Sequence, residues 1–117
     1  MSISYFILSG SNLITKGLNV MTDYLHEQDA FSDLAEALLS LEDEAECIAF
    51  LTDLCTIREM NDMAQRLEVA LLLKAGKNYQ EISKATGAST ATISRVSRAL
   101  SHGSGGYRSI LQKLNDQ

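Results

Sequence analysis

The chain has 117 residues, 45% of them hydrophobic and 21% charged, and its net charge of −5 excludes a generally sticky polyanion binder. That length and balance fit one globular domain, and exclude both a disordered tail and a pair of ordinary domains. The charge is nonetheless divided: residues 1–56 carry one base and ten acids, and residues 57–117 carry nine bases and five acids.

Residues 1–22 read as an N-terminal leader or extension. The stretch MSISYFILSGSNLITKGLNV has no basic start, and its apolar run Tyr5–Leu8 is too short for a secretory signal. No window of the chain reaches membrane-spanning length. Met21 could itself serve as a start, which would make residues 1–20 a translated upstream leader; the segment is expected to pack on a neighbour and to carry no chemistry. Residues 23–117 are expected to form one all-α domain, because the chain has no Pro and clusters Gly only at 103–106.

Phe31, Leu34, Ala35, Leu38 and Leu41 recur at helical spacing and predict a first helix over about 23–41. Ser40, with Asp43 three residues on, reads as the cap of a second helix ending near Cys55. Cys47 and Cys55, eight apart, share one helical face and read as small buried apolar groups. Their spacing is not that of metal ligands, and two free thiols suit a reducing cytoplasm.

Thr56 and Glu59 form a capping box that opens a third helix, which Gly76 ends. Its second half, Leu67 and Val69–Leu73, has almost no polar side. A helix apolar all round must be buried all round, and a chain this short supplies little cover, so a second copy of the chain is expected to provide it.

Asn78 and Glu81 form a second capping box for a short helix over Tyr79–Thr86, with Ile82 and Ala85 facing inward. Gly87 and Ala88 follow, and Ser89 caps a helix over about Thr90–Ser101 with Ile93, Val96 and Leu100 inward. After a Gly-rich link, Tyr107, Ile110, Leu111 and Leu114 predict a last amphipathic helix.

Two short helices joined by a Gly-containing turn, the second capped by Ser, form the pattern of a helix-turn-helix, here at 78–101. The start of the second helix must be small enough to approach base edges and polar or methyl-bearing enough to contact them. Thr90, Ala91 and Thr92 meet that demand, with Ser94, Arg95 and Arg98 on the same outward side. Residues 66–113 hold eight bases, Lys84 among them, against only Glu68 and Glu81. Duplex DNA attracts such a face by counterion release.

The segment LCTIREMNDMAQRLEVALLLKAGKNYQEISKATGASTATISRVSRAL closely resembles the Trp-repressor-like family, in its YerC/YecD branch of regulators. The resemblance spans about residues 31–114. It implies an intertwined helical homodimer that presents two helix-turn-helix units to successive major grooves of a roughly palindromic operator. The family's DNA-contacting positions fall on Tyr79, Gln80 and Ser83 in the first helix, and on Thr90, Ala91, Thr92 and Ser94 in the second. Arg95 matches an arginine that touches the corepressor in the tryptophan-binding member. The neighbour that is glycine there is Val96 here, and the second corepressor arginine falls on or beside Gln65, with Arg66 one step away. Both departures argue against L-tryptophan as an effector, and no effector can be named.

The expected function is therefore a cytoplasmic, homodimeric, sequence-specific transcriptional regulator, a repressor, that binds double-stranded DNA and does not respond to tryptophan. The rival reading is a protein-interaction module whose basic helix-turn-helix docks an acidic partner. No nucleophile–base set, metal constellation or phosphate loop is visible, so no enzyme, cofactor, metal or membrane partner is expected. The acids at Glu42, Asp43, Glu44 and Glu46 read as a helix N-terminal cluster favoured by the dipole.

Overall fold

A computed structural model describes residues 20–116, with side chains from residue 27 onward. The expected leader lies outside the described residues except for its last three positions, which already belong to the first helix. Six helices follow in order: α1 (Val20–Leu39), α2 (Glu44–Leu54), α3 (Ile57–Lys74), α4 (Tyr79–Thr86), α5 (Thr90–His102) and α6 (Gly106–Asn115). There is no strand among the described residues. Two compact units divide between Phe50 and Leu51, inside α2.

In the first unit, α1 closes differently from the sequence-based expectation. The Ser40 hydroxyl donates to the Ala37 carbonyl at 2.7 Å. It thereby serves the end of α1, and Asp43 caps α2 instead, accepting the Glu46 amide at 2.8 Å. The Glu46 carboxylate reaches back to the Glu42 amide, also at 2.8 Å. A carboxylate at a helix start meets both free amides and the positive end of the dipole, which a hydroxyl serves less strongly. Phe31, Leu34 and Leu38 stay exposed within the chain. Cys47 and Cys55 are free and half-buried, not the fully buried pair expected.

The second unit holds the core. Val69 and Ala70 of α3, Ile82 of α4, Ala88 of the turn, Ile93 and Val96 of α5 and Leu111 of α6 are buried, with Leu72, Leu73, Leu100 and Tyr107 packed around them. The local signals place these helices. The Thr56 side chain accepts the Glu59 amide at 3.1 Å while Glu59 accepts the Thr56 amide at 2.8 Å, a complete capping box. These bonds from Thr56, backbone first and hydroxyl second, hold the Glu59 carboxyl below its ordinary pKa. Gly76, at φ +87°, ends α3 in the left-handed region where a side chain would be strained.

One chain does not by itself cover α3, as expected of a helix that needs a second copy, and one inward position expected on α4 is corrected. Leu67 and Leu71 of α3 remain 36% and 42% exposed, so within one chain this helix is buried on one side only. Ala85 is exposed too, because α4 is so short that Ile82 alone fills the contact toward α3 and α5. On α6, Leu111 turns inward while Ile110 and Leu114 do not.

Candidate nucleic-acid interface

The sequence builds α4, its turn and α5 as a unit with caps at each corner. Asn78 accepts the Glu81 amide and Glu81 accepts the Asn78 amide, both at 2.9 Å. Glu81, the only acid on α4, α5 or their turn, thus spends its charge on the helix start. Gly87 ends α4 at φ +76°, its amide on the Ser83 carbonyl at 2.8 Å. Ser89 caps α5, accepting the Thr92 amide and donating to the Thr92 hydroxyl, both at 3.1 Å.

The turn between the helices is further tied by side chains. The Ser83 hydroxyl donates to the Ala88 carbonyl at 3.0 Å. The Thr86 hydroxyl donates to the Ile82 carbonyl at 2.8 Å and accepts the Ala88 amide at 3.1 Å. From α3, the Gln65 amide nitrogen donates to the Thr86 carbonyl at 3.1 Å. Ile82, Ala88, Ile93 and Val96 anchor the unit in the core. The angle between α4 and α5 is thus set by packing inside and by hydrogen bonds at the turn.

The expected site residues fall into groups. Tyr79, Gln80, Ser83, Lys84 and Thr90 line one shallow hollow where α4 meets the start of α5. Ala91, Arg95 and Arg98 lie exposed along α5, spaced four and three so that they share a face. Thr92 and Ser94 are half-buried, so they sit lower on that face than the sequence suggested. Ser83 is also half-buried, and its hydroxyl proton is committed to the turn. Val96 is 1% exposed and packs in the core. Gln65 and Arg66 are both half-buried on α3.

Sequence reasoning missed the parts played by Thr86 and Gln65. Thr86, two residues before Ala88, carries the local signature of a hydroxyl that closes a turn. Gln65 has no such signature, since its acceptor is a backbone carbonyl 21 residues away.

No described helix is long and apolar enough to cross a membrane. No group of three His, Cys, Asp or Glu that could hold a metal occurs among the described residues.

Two short helices at a Gly-bearing turn, the second opening on small polar residues and carrying exposed arginines, define a helix-turn-helix protein. The comparisons agree. A model of the family described as Trp repressor protein matches residues 29–115. The uncharacterized protein YerC of Bacillus subtilis (strain 168) is 49% identical over 83 residues, 71% of this chain and 80% of YerC. A crystal structure of a candidate Trp repressor from Staphylococcus aureus matches with a TM-score of 0.71 and 45% identity, over 75% of this chain and 88% of that one. A TrpR like protein from Eubacterium eligens ATCC 27750 matches at 0.71 and 45%, over 74% and 89%. The chain belongs to the Trp repressor protein family. Membership implies a helix-turn-helix DNA-binding regulator.

Proposed function

We propose that this chain is a homodimeric, sequence-specific transcriptional regulator, a repressor in the cytoplasm and not an enzyme, that places the start of α5 in the major groove of duplex DNA. The observation that carries the reading is the composition of one face: Tyr79, Gln80, Lys84, Thr90, Ala91, Arg95 and Arg98 are exposed together, and the one acid of α4, α5 and their turn, Glu81, is held in its capping box. Small groups at Thr90 and Ala91 let the helix approach base edges, and Thr92 presents a hydroxyl oriented by Ser89. Lys84, Arg95 and Arg98 supply charge for phosphates, with arginine also able to pair with guanine.

The dimer is supported by the apolar side chains left uncovered: Leu67, Leu71, Ile110 and Leu114 are each between 36% and 47% exposed. Leu67 and Ile110 also border an apolar hollow with Ala99 and Tyr107. A second copy would cover this surface and space two α5 helices for successive grooves.

Tryptophan independence is supported by Val96. Its branched side chain is buried in the core at the position where the tryptophan-binding relative is read as having glycine, which supports a reading in which that side chain takes the space an indole ring would need. The test is a selection on random-sequence duplex DNA in moderate salt, with and without L-tryptophan. An enriched palindrome in both conditions is expected. Enrichment only with tryptophan would overturn the reading of Val96. No enrichment in either would move the function to an acidic protein partner or another effector.

A further inference from the structure

We infer that Gln65 is a positioning residue: its side-chain amide acts as a strut from α3 that fixes the orientation of the helix-turn-helix, so that the orientation needed for DNA is set from within the chain. The inference rests on the DNA-binding reading above and assigns what orients that same face.

The last carbonyls of a helix have no partner within it, and each must find one elsewhere. At the end of α4, three of the bonds around the turn are local: Gly87 to Ser83, the Thr86 hydroxyl to Ile82, and the Ser83 hydroxyl to Ala88. These fix the shape of the turn but not its attitude to the scaffold. The Thr86 carbonyl is instead taken by Gln65, 21 residues away on α3, at 3.1 Å. Among the described residues from 57 to 116, this is the only side-chain hydrogen bond that joins positions more than five apart.

Core packing presses the unit against α3 but makes no directional bond to it. Ile82, Ala88, Ile93 and Val96 meet Val69 and Ala70 through apolar surfaces, and that attraction is non-directional. A hydrogen bond weakens steeply off its axis, so the Gln65 strut supplies the direction. A carbonyl can only accept, so the contact requires a donor at the tip of residue 65. Both partners are half-buried, where an unmade bond costs more than on the open surface.

Two variants separate the strut from mere bulk. Gln65→Met keeps the length and removes the donor. Gln65→Glu keeps the shape; its carboxylate cannot donate, but its protonated form can. Wild-type protein at each pH is the reference, because Arg66, Glu68, Lys84 and Arg95 on the three helices concerned are common to both. Operator affinity is measured on a duplex enriched by the selection above, and amide hydrogen exchange of Gly87 and Ala88 is measured on the free protein.

Gln65→Met is expected to lose about threefold to tenfold in operator affinity at every pH, with faster exchange at both amides. Gln65→Glu is expected to show the same loss near neutrality and to regain it progressively, relative to wild type, as pH falls to about 4. Gln65→Met with unchanged affinity, or with unchanged exchange, overturns the inference, as does a Gln65→Glu deficit that ignores pH. If wild type selects no duplex, the DNA reading fails by itself, and exchange in the free protein still decides whether Gln65 is the strut.

Discussion

The Ser89 hydroxyl accepts the Thr92 amide and donates to the Thr92 hydroxyl, each at 3.1 Å. One side chain therefore both starts α5 and orients a hydroxyl that the proposed interface presents to DNA. Ser89→Ala is expected to cost about 1 kcal/mol of folding stability, the usual worth of such a cap. It should also free the Thr92 hydroxyl to rotate and so blur base preference. Chemical denaturation, together with a repeat of the duplex selection, checks both effects. A stability loss with an unchanged selected sequence would remove Thr92 from the readout.

In the proposed interface Arg98 and Thr90, eight residues apart and both exposed on α5, divide the work. Arg98, more than two turns into the helix, is placed to hold a phosphate. Arg98→Ala is expected to weaken all duplexes about equally and to reduce the salt slope by about one. Thr90, in the hollow with Tyr79 and Lys84, is placed to meet a base edge. Thr90→Ala is expected to relax the preferred sequence more than it lowers affinity. Titrations of matched and mismatched duplexes at several salt concentrations distinguish the two. A loss at Arg98 confined to one sequence would contradict the phosphate role.

What the sequence made legible was chiefly local. The pairs Thr56 with Glu59, Asn78 with Glu81 and Ser89 with Thr92 lie three residues apart, within reach of one helical turn, and the structure contains all three contacts. Gly76 and Gly87 mark helix ends for the same local reason. Errors arose where two local solutions competed, as when Asp43 displaced Ser40 as the cap of α2. Burial was legible as pattern but not as degree. The apolar run of α3 was visible, yet which of Leu67, Val69 and Leu71 is covered depends on where α4 to α6 lie. The Gln65–Thr86 bond was invisible because no spacing rule links a side chain to a carbonyl on another helix. At the candidate interface the residue types and their helical face could be read. The half-burial of Ser83, Thr92 and Ser94 could not, because it depends on the angle between α4 and α5.

Leu71 tests the proposed dimer. It is 42% exposed on α3, between the buried Val69–Ala70 pair and the half-buried Leu72. If a second copy covers it, Leu71→Glu places a charge in each half of the interface and loses an apolar contact in each. The dimer dissociation constant is expected to rise at least about a hundredfold. Because the residue faces outward from its own chain, the helical content by circular dichroism should hardly change. Analytical ultracentrifugation across a concentration series reads the assembly directly. An unaltered dimer would mean that this face of α3 is not the interface, and a monomeric wild type would sink the dimer itself.

Glu59 gives the fold an acid-sensitive corner. Its carboxyl pKa is lowered by the Thr56 amide first and the Thr56 hydroxyl second, so the folded chain favours the ionised form. A group whose pKa is depressed by folding contributes stability above its unfolded pKa, here an ordinary value of 4.5, and loses that contribution as pH falls through the lower folded value. The carboxylate also lies at the positive end of the α3 dipole, which acts in the same direction. Glu59→Gln retains an oxygen that can accept the Thr56 amide but has no charge to lose. Wild type is therefore expected to melt above Glu59→Gln at about pH 7, and the gap is expected to close below about pH 4. Thermal unfolding of the two proteins side by side at each pH measures that gap. A difference that persists undiminished in acid would show that Glu59 acts through shape and not through charge.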